Sequence, residues 1–474
     1  MWKRTHPGLA ALLVLLAPLA GAEPLVLERI EADAERNERV ARRIWEWAEL
    51  GYQETRSSAL LAEQLEQAGF SIRSGVADIP TAFIAEYGSG EPVVAILGEF
   101  DALPGISQTA APVRERRADV DAGHACGHHL FATASMSAAI AVAGWLETRG
   151  EGGTVRFYGT PAEEGGAGKV YMVRAGLFED VDVALHWHPG DRNSAGSLTT
   201  NANRSAKFRF HGRSTHAAAS PERGRSALDG VEAMNLMVNM MREHVPQESR
   251  IHYVITEGGA APNVTPDFAE VFYYTRHPDP DRVRSLFERV VAASEGAALG
   301  TGTRVEHEII HGLLSLLPND RLQKQVHANL TRVGGVEYDA EDRAFAERIR
   351  ESLGDTDRTL EDAGRVEPWG TGHSYGSTDV GDVSWAVPTA GFSTATWVPG
   401  TSTHSWQAIA AGATDIGIQG MQNAARVLAL TAVDLFEDPE LVREARAEFE
   451  RRRGADFAYR PLLGDREPPL DYRD

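Results

Sequence analysis

Among 474 residues there is one cysteine, Cys126. Without a partner in the chain it cannot belong to a disulfide framework. A structural zinc finger, which draws on several cysteines or on paired Cys and His motifs at set spacings, is a poor fit as well. Basic residues are in deficit, 47 against 68 acidic, for a formal charge of -21. A surface so charged repels nucleic acid and anionic membranes, and neither is expected as a partner. The deficit says nothing about a small substrate, because a cationic site can sit inside an acidic protein. Beyond the first 22 residues no stretch reads as long and apolar enough to cross a bilayer. Internal repeats and heptad runs are missing too.

What is present begins with residues 1–22, MWKRTHPGLAALLVLLAPLAGA. Lys3 and Arg4 precede a short apolar run that ends in small residues, the pattern of a secretory signal. Cleavage is expected after Ala22, leaving an exported chain, periplasmic or secreted; an uncleaved signal anchor is the alternative. The 450 or so residues that follow suggest roughly two to three domains. With 42% apolar residues they can bury a substantial core. The last residues, LLGDREPPLDYRD, read as a polar tail.

Short apolar runs alternate with longer helical ones, which predicts an α/β sheet. Helices are expected over 35–69 around a break at Gly51 and Tyr52, and one Ala-rich helix over 126–148. Buried strands are expected at VVAIL (93–97), TVRFYG (154–159) and VDVALHWH (181–188), the last stopped by Pro189 and Gly190. Carboxylates and imidazoles follow the strands and one helix start, where open α/β sheets place their sites.

The densest cluster is GHACGHH (123–129), three histidines and the thiol within seven residues. A nucleophilic thiol, a catalytic metal site and a chance of composition all fit it. In an oxidising compartment an unpaired thiol is better explained if a metal holds it. The other clusters have bland readings when taken singly. Glu163 and Glu164 suit a solvated helix start, and Asp101 suits a turn or cap. His186 and His188 share one face of a strand, where histidines are commonly structural. Their joint placement at strand ends favours the metal.

Several segments, in order, resemble the M20 metallopeptidases and, within them, the amidohydrolase branch. They are GEFDALPG (98–105), HACGHH (124–129), GTPAEEGGAGK (159–169), DVALHWHPG (182–190), GRSTHAAASPERGRSALDG (212–230), APNVTPD (261–267), GSTDVGDVSW (376–385) and GTSTHSW (400–406). The resemblance covers nearly the whole mature chain. It is nearest to the aminobenzoyl-glutamate hydrolase and N-acyl amino acid amidohydrolase type. It implies a zinc-peptidase-like α/β catalytic domain, residues 23–204 and 317–474, with an inserted ferredoxin-like lid and dimerisation domain over 205–316. It further implies two divalent ions, zinc or manganese, held by Cys126, His128, Glu164, His188 and His404. His186 is then not a ligand. Glu163 matches the general base and Asp101 a carboxylate supporting the metals from behind. His216 matches a residue that reaches a partner subunit's site, and Asn263 and Arg276 match groups that hold the substrate carboxylate.

The implied activity is hydrolysis of an amide bond next to a free carboxylate, as in aminobenzoyl-glutamate and other N-aroyl or N-acyl amino acids, by a homodimer. A dipeptidase or short-peptide carboxypeptidase is the alternative, and a catalytically dead binding protein a third. Two departures from the family pattern stand out. His129 occupies a position commonly Asp or Asn, and Glu99 one where aminopeptidase-like branches place a metal histidine. Trp187, Tyr375 and Trp397 are candidates for stacking on an aromatic acyl group, or simply for packing.

Overall fold

A computed structural model describes residues 22–150 and 152–473. The expected leader lies outside them except for Ala22, where the helix Ala22–Ala32 begins. The main strands in chain order are β1 (Ser71–Ser74), β2 (Phe83–Ser89), β3 (Val93–Gly98), β4 (Gly153–Gly159) and β5 (Val183–Gly190). They continue with β6 (Ala202–His211), β7 (Arg250–Glu257), β8 (Phe268–His277), β9 (Arg304–Leu313) and β10 (Thr389–Ala395). One sheet has the order β1-β2-β4-β3-β5-β10 and a second the order β7-β8-β6-β9.

In the first sheet β3 runs parallel to β4 and β5, and β10 parallel to β5. Four strands therefore deliver their carboxyl ends to one edge. β3 is apolar throughout because both its faces are covered. Val94 and Ile96 pack with the helix His128–Arg149, while Ala95 and Leu97 pack with Val170, Met172 and Val383 on the opposite side.

That helix corrects two expectations. It starts at His128 rather than at 126, because Gly127 takes a left-handed φ of 72° and leaves Cys126 in the preceding turn. Its length and composition also suffice for a membrane span, contrary to the expectation that no stretch beyond the first 22 residues would. The helices Ala22–Ala32, Ala34–Trp47 and Asp415–Glu437 enclose it, so its apolar surface is buried within the protein.

β5 does not stop at His188 but pairs through Pro189 and Gly190 with Thr394 and Ala395 of β10. β3 pairs with β5 only as far as Leu185, so on that side the end of β5 is free and a proline costs no ladder bond. This early parting of β3 and β5 opens the sheet edge next to His188.

The second sheet has the β-α-β-β-α-β order of a ferredoxin-like unit, as expected for the insert, with helices Ala227–Met241 and Pro280–Thr301 on one face. Phe208, Val231, Met234, Val271, Phe287 and Val290 form the core between them. Ser226 caps the first helix through Asp229 N at 3.1 Å, and Asp279 caps the second ahead of Pro280. This unit occupies the place of the inserted lid expected over 205–316.

The residues that read as a polar tail are docked. After the helix Pro439–Arg453 the chain buries Leu462 and Leu463, and Arg466 donates to the carbonyls of Ile309 and Ile310, each at 2.9 Å. Charge and prolines dominate this stretch of sequence. The adjacent leucines and Tyr472 decide its fate.

Candidate metal centre

Gly127 sets the first part of the site. In its left-handed turn a Cβ would lie 2.7 Å from Pro189, so only glycine lets the turn press against the end of β5. Cys126 and His128 flank it and meet His188, and one ligand atom of each of the three lies within 4.8 Å of the others.

The loop 160–167 after β4 brings Glu163 and Glu164. Ala162 and Ala167 are left-handed there, at φ 58° and 61°, a conformation that L residues hold only when their surroundings impose it. Glu54 accepts from Ala162 N and Asp101 from Glu164 N, each at 2.9 Å. His404 is left-handed as well, and its backbone N donates to Ala125 O at 3.0 Å. This puts its Nε2 3.1 Å from Cys126 Sγ, and Cys126, Glu164 and His404 form a second compact group. The two groups share the thiol.

Asp101 Oδ1 stands 3.0 Å from His128 Nδ1 and fixes the ring so that Nε2 faces the group. Glu99, His128 and Glu163 make a third compact set. Lys169, fully buried, pairs with Glu99 and Asp379 at 2.7 Å each.

The electrostatics follow from this crowding. Burial, then the charges of Glu99, Glu164 and Asp379, push the Glu163 carboxyl well above the usual range. Burial, then Glu164, raises the Cys126 thiol. Burial would lower His128, but Asp101 and Glu99 override it and raise the imidazole well above its ordinary value. Burial leads the balance at Glu164 too, yet His404 and His128 bring it below the ordinary carboxylate. Burial lowers His188 and keeps its ring neutral, the form that ligates.

The donor set fits divalent cations on evidence of its own. His128 Nε2 and Glu99 Oε2 are 3.1 Å apart, yet they lack the alignment of a hydrogen bond and each is buried without a hydrogen-bond partner. Glu164 Oε1 is a third such atom, 3.3 Å from His404 Nε2. Buried polar atoms are seldom left unpaired, and these three lie in the compact sets around His128 and His404, which points to bound cations there. A thiol, imidazoles and carboxylates crowded together are also a transition-metal donor set.

Other candidates fall elsewhere. His186 packs over Gly391 and is held neutral by burial, with a pKa of about 4, outside the compact groups. His129 turns away from them, its Nε2 3.0 Å from Gly412 O and its ring against His124. Trp187 is core, donating to Phe131 O at 3.1 Å. Trp397 lines a cleft of about 670 Å³ beside His188, and Tyr375 is exposed. His216 and Asn263 sit together in exposed lid loops, joined by the bond from Ala217 N to Asn263 O at 3.0 Å. Arg276 lies on β8 with its guanidinium over Tyr274 and its Nε buried without a partner. None of the three belongs to the compact groups among the described residues.

Sequence alone assigns no role to Glu54, Lys169 or Asp379. Lys169 and Asp379 lie in quoted motifs, but nothing in their spacing announces a buried ion pair across 210 residues.

Residues 95–433 match the model of peptidase family M20/M25/M40. The chain belongs to this family. It is a metal-binding hydrolase of the M20 metallopeptidase and amidohydrolase kind. It is 42% identical over 451 residues to one of the p-aminobenzoyl-glutamate hydrolase subunits of Escherichia coli (strain K12), spanning 90% of this chain and 94% of that one. It is 31% identical over 439 residues to the Xaa-Arg dipeptidase of Mus musculus, spanning 89% and 91%. Among solved structures it shares the fold of the Bacillus subtilis YXEP protein, a dinuclear metal binding peptidase of the M20 family. That match has a TM-score of 0.58 and 20% identity, and covers 85% of this chain and 99% of the other.

Proposed function

We propose that this M20 hydrolase is dinuclear and cleaves the amide bond of N-aroyl or N-acyl amino acids that carry a free carboxylate, aminobenzoyl-glutamate foremost. The sharing of Cys126 by two ligand groups, with Glu163 beside them, carries the reading. Cys126, His128 and His188 would hold one ion, and Cys126, Glu164 and His404 the other; the donor types suit zinc or manganese. When bound, such ions acidify water and polarise the substrate carbonyl. Glu163 accepts the proton from the attacking water and returns it to the leaving nitrogen. Asp101 keeps the His128 ring in place. Asn263 and Arg276 hold the substrate carboxylate, a task for which the planar guanidinium is suited.

The E. coli relative supports the aminobenzoyl-glutamate class. The Xaa-Arg dipeptidase relative favours a second reading, a dipeptidase. Hydrolysis of aminobenzoyl-glutamate, other N-acyl amino acids and Xaa-Arg dipeptides with zinc or manganese separates the two. We expect kcat/KM for aminobenzoyl-glutamate to exceed that for the dipeptides by at least about tenfold. The reverse order makes the protein a dipeptidase. Arg276→Ala should raise KM for the free carboxylate by about tenfold, as for a lost charge-assisted hydrogen bond, and narrow the preference over the amidated analogue. An unchanged preference assigns the carboxylate to another group.

The reading includes export, supported by the pattern of residues 1–22, and a two-fold dimer in which His216 of each lid serves the other protomer's site. The exposed position of His216 outside its own chain's ligand groups supports the exchange. Mixing inactive Glu163→Gln chains with inactive His216→Ala chains should restore roughly a quarter of wild-type activity, since half the dimers are mixed and each has one good site. Confirmed exchange of protomers without recovered activity rules out the exchanged histidine.

A further inference from the structure

The proposed function depends on where Glu163 and Glu164 stand, and the loop that bears them is tied down largely from outside itself. Tyr52 donates its hydroxyl to Gly166 O at 2.7 Å, and Glu54 and Asp101 take the amides of Ala162 and Glu164. The carbonyl of Glu164 goes to the docked segment near residue 473. It accepts from the Tyr472 hydroxyl at 3.3 Å and from the Arg473 guanidinium.

These two residues are themselves placed by packing. The Tyr472 ring meets Tyr52 edge-on with centroids 5.5 Å apart, and Arg473 lies over the Tyr472 ring at 4.6 Å. Gly51 makes room for them: a Cβ there would stand 2.2 Å from the Tyr472 hydroxyl. Upstream, Leu462 passes so close to Gly312 of β9 that a Cβ would lie 2.5 Å from its backbone, and Arg466 holds the carbonyls of Ile309 and Ile310. The segment thus runs from a strand of the lid to the peptide that carries Glu164.

We propose that residues 462–473 are a strap positioning Glu164, with Tyr472 and Arg473 as its positioning residues. The Glu164 peptide is gripped at both ends, its N–H by Asp101 and its C=O by the strap. A carboxylate that shares an ion with Cys126 and His404 has to be held to within a fraction of an ångström, and groups behind a ligand supply that hold.

The test uses full-length protein stripped of metal, with zinc affinity measured against a chelator. Arg473→Ala should weaken zinc binding by about tenfold and lower kcat on aminobenzoyl-glutamate to a similar extent, the usual scale for a group behind a metal ligand. KM should stay within about twofold, because the substrate is not touched. Arg473→Lys, which keeps a donor, should recover most of both losses, and Tyr472→Phe should show a smaller loss. Glu467→Gln, on an exposed side chain of the same segment, should change neither. Wild-type zinc affinity and kcat in Arg473→Ala overturn the strap alone. A loss matched by a large fall in the apoprotein's melting temperature overturns it as well, in favour of general stability. Wild-type protein that takes up neither zinc nor manganese overturns the proposed function, and the strap's role with it.

Discussion

Glu163→Gln should lower kcat by at least about a hundredfold, the scale of a lost general base, while metal content and melting temperature stay near wild type. Gln has nearly the same shape but cannot accept a proton. The five proposed ligands, Cys126, His128, His188, Glu164 and His404, are untouched, so the ions should remain. Burial, and then the charges of Glu99, Glu164 and Asp379, raise the proton affinity of Glu163 well above that of an ordinary glutamate. A base of raised affinity next to cations is suited to taking a proton from acidified water and giving it up to an amine. The check is steady-state turnover alongside elemental analysis of the same preparation. Wild-type turnover would remove Glu163 from the mechanism.

Cys126→Ser should have an effect as large on metal content as on activity. The sulfur belongs to both compact groups, so its loss weakens both positions at once. A serine hydroxyl holds its proton far more tightly than a thiol and is a poor substitute for a bridging thiolate. We expect bound metal to fall from about two ions per chain towards none, with activity following it. Full metal occupancy together with lost activity would instead make the thiol a nucleophile, the competing explanation of GHACGHH.

The α/β character was legible because β3, β4 and β5 are short apolar runs, each followed by its polar cluster. The ferredoxin-like unit was reached through the family resemblance of segments such as GRSTHAAASPERGRSALDG and APNVTPD, not through a pattern in its strands, two of which do not alternate in burial. Joining Cys126, His128, Glu164, His188 and His404 into two groups that share a sulfur needs spatial knowledge no spacing contains. The start of the helix at His128 depended on the backbone sign of Gly127, and the run of β5 through Pro189 on the absence of a neighbour there. The tail misleads because its local polarity outweighs two leucines whose partners lie more than a hundred residues away, at Gly312 and beyond. The Lys169–Asp379 pair was hidden for the same reason.

The thiol and His404 meet across 278 residues, with the whole lid encoded between them. At about 5–20 residues per second, a ribosome needs roughly 14 to 56 s to make that stretch. For most of this interval the nascent chain has Cys126, His128 and His188 but no His404, and β10 has yet to join its sheet. The second ligand group is therefore a product of late assembly, and the chain's one thiol goes without its full set of neighbours for as long as synthesis and closure take.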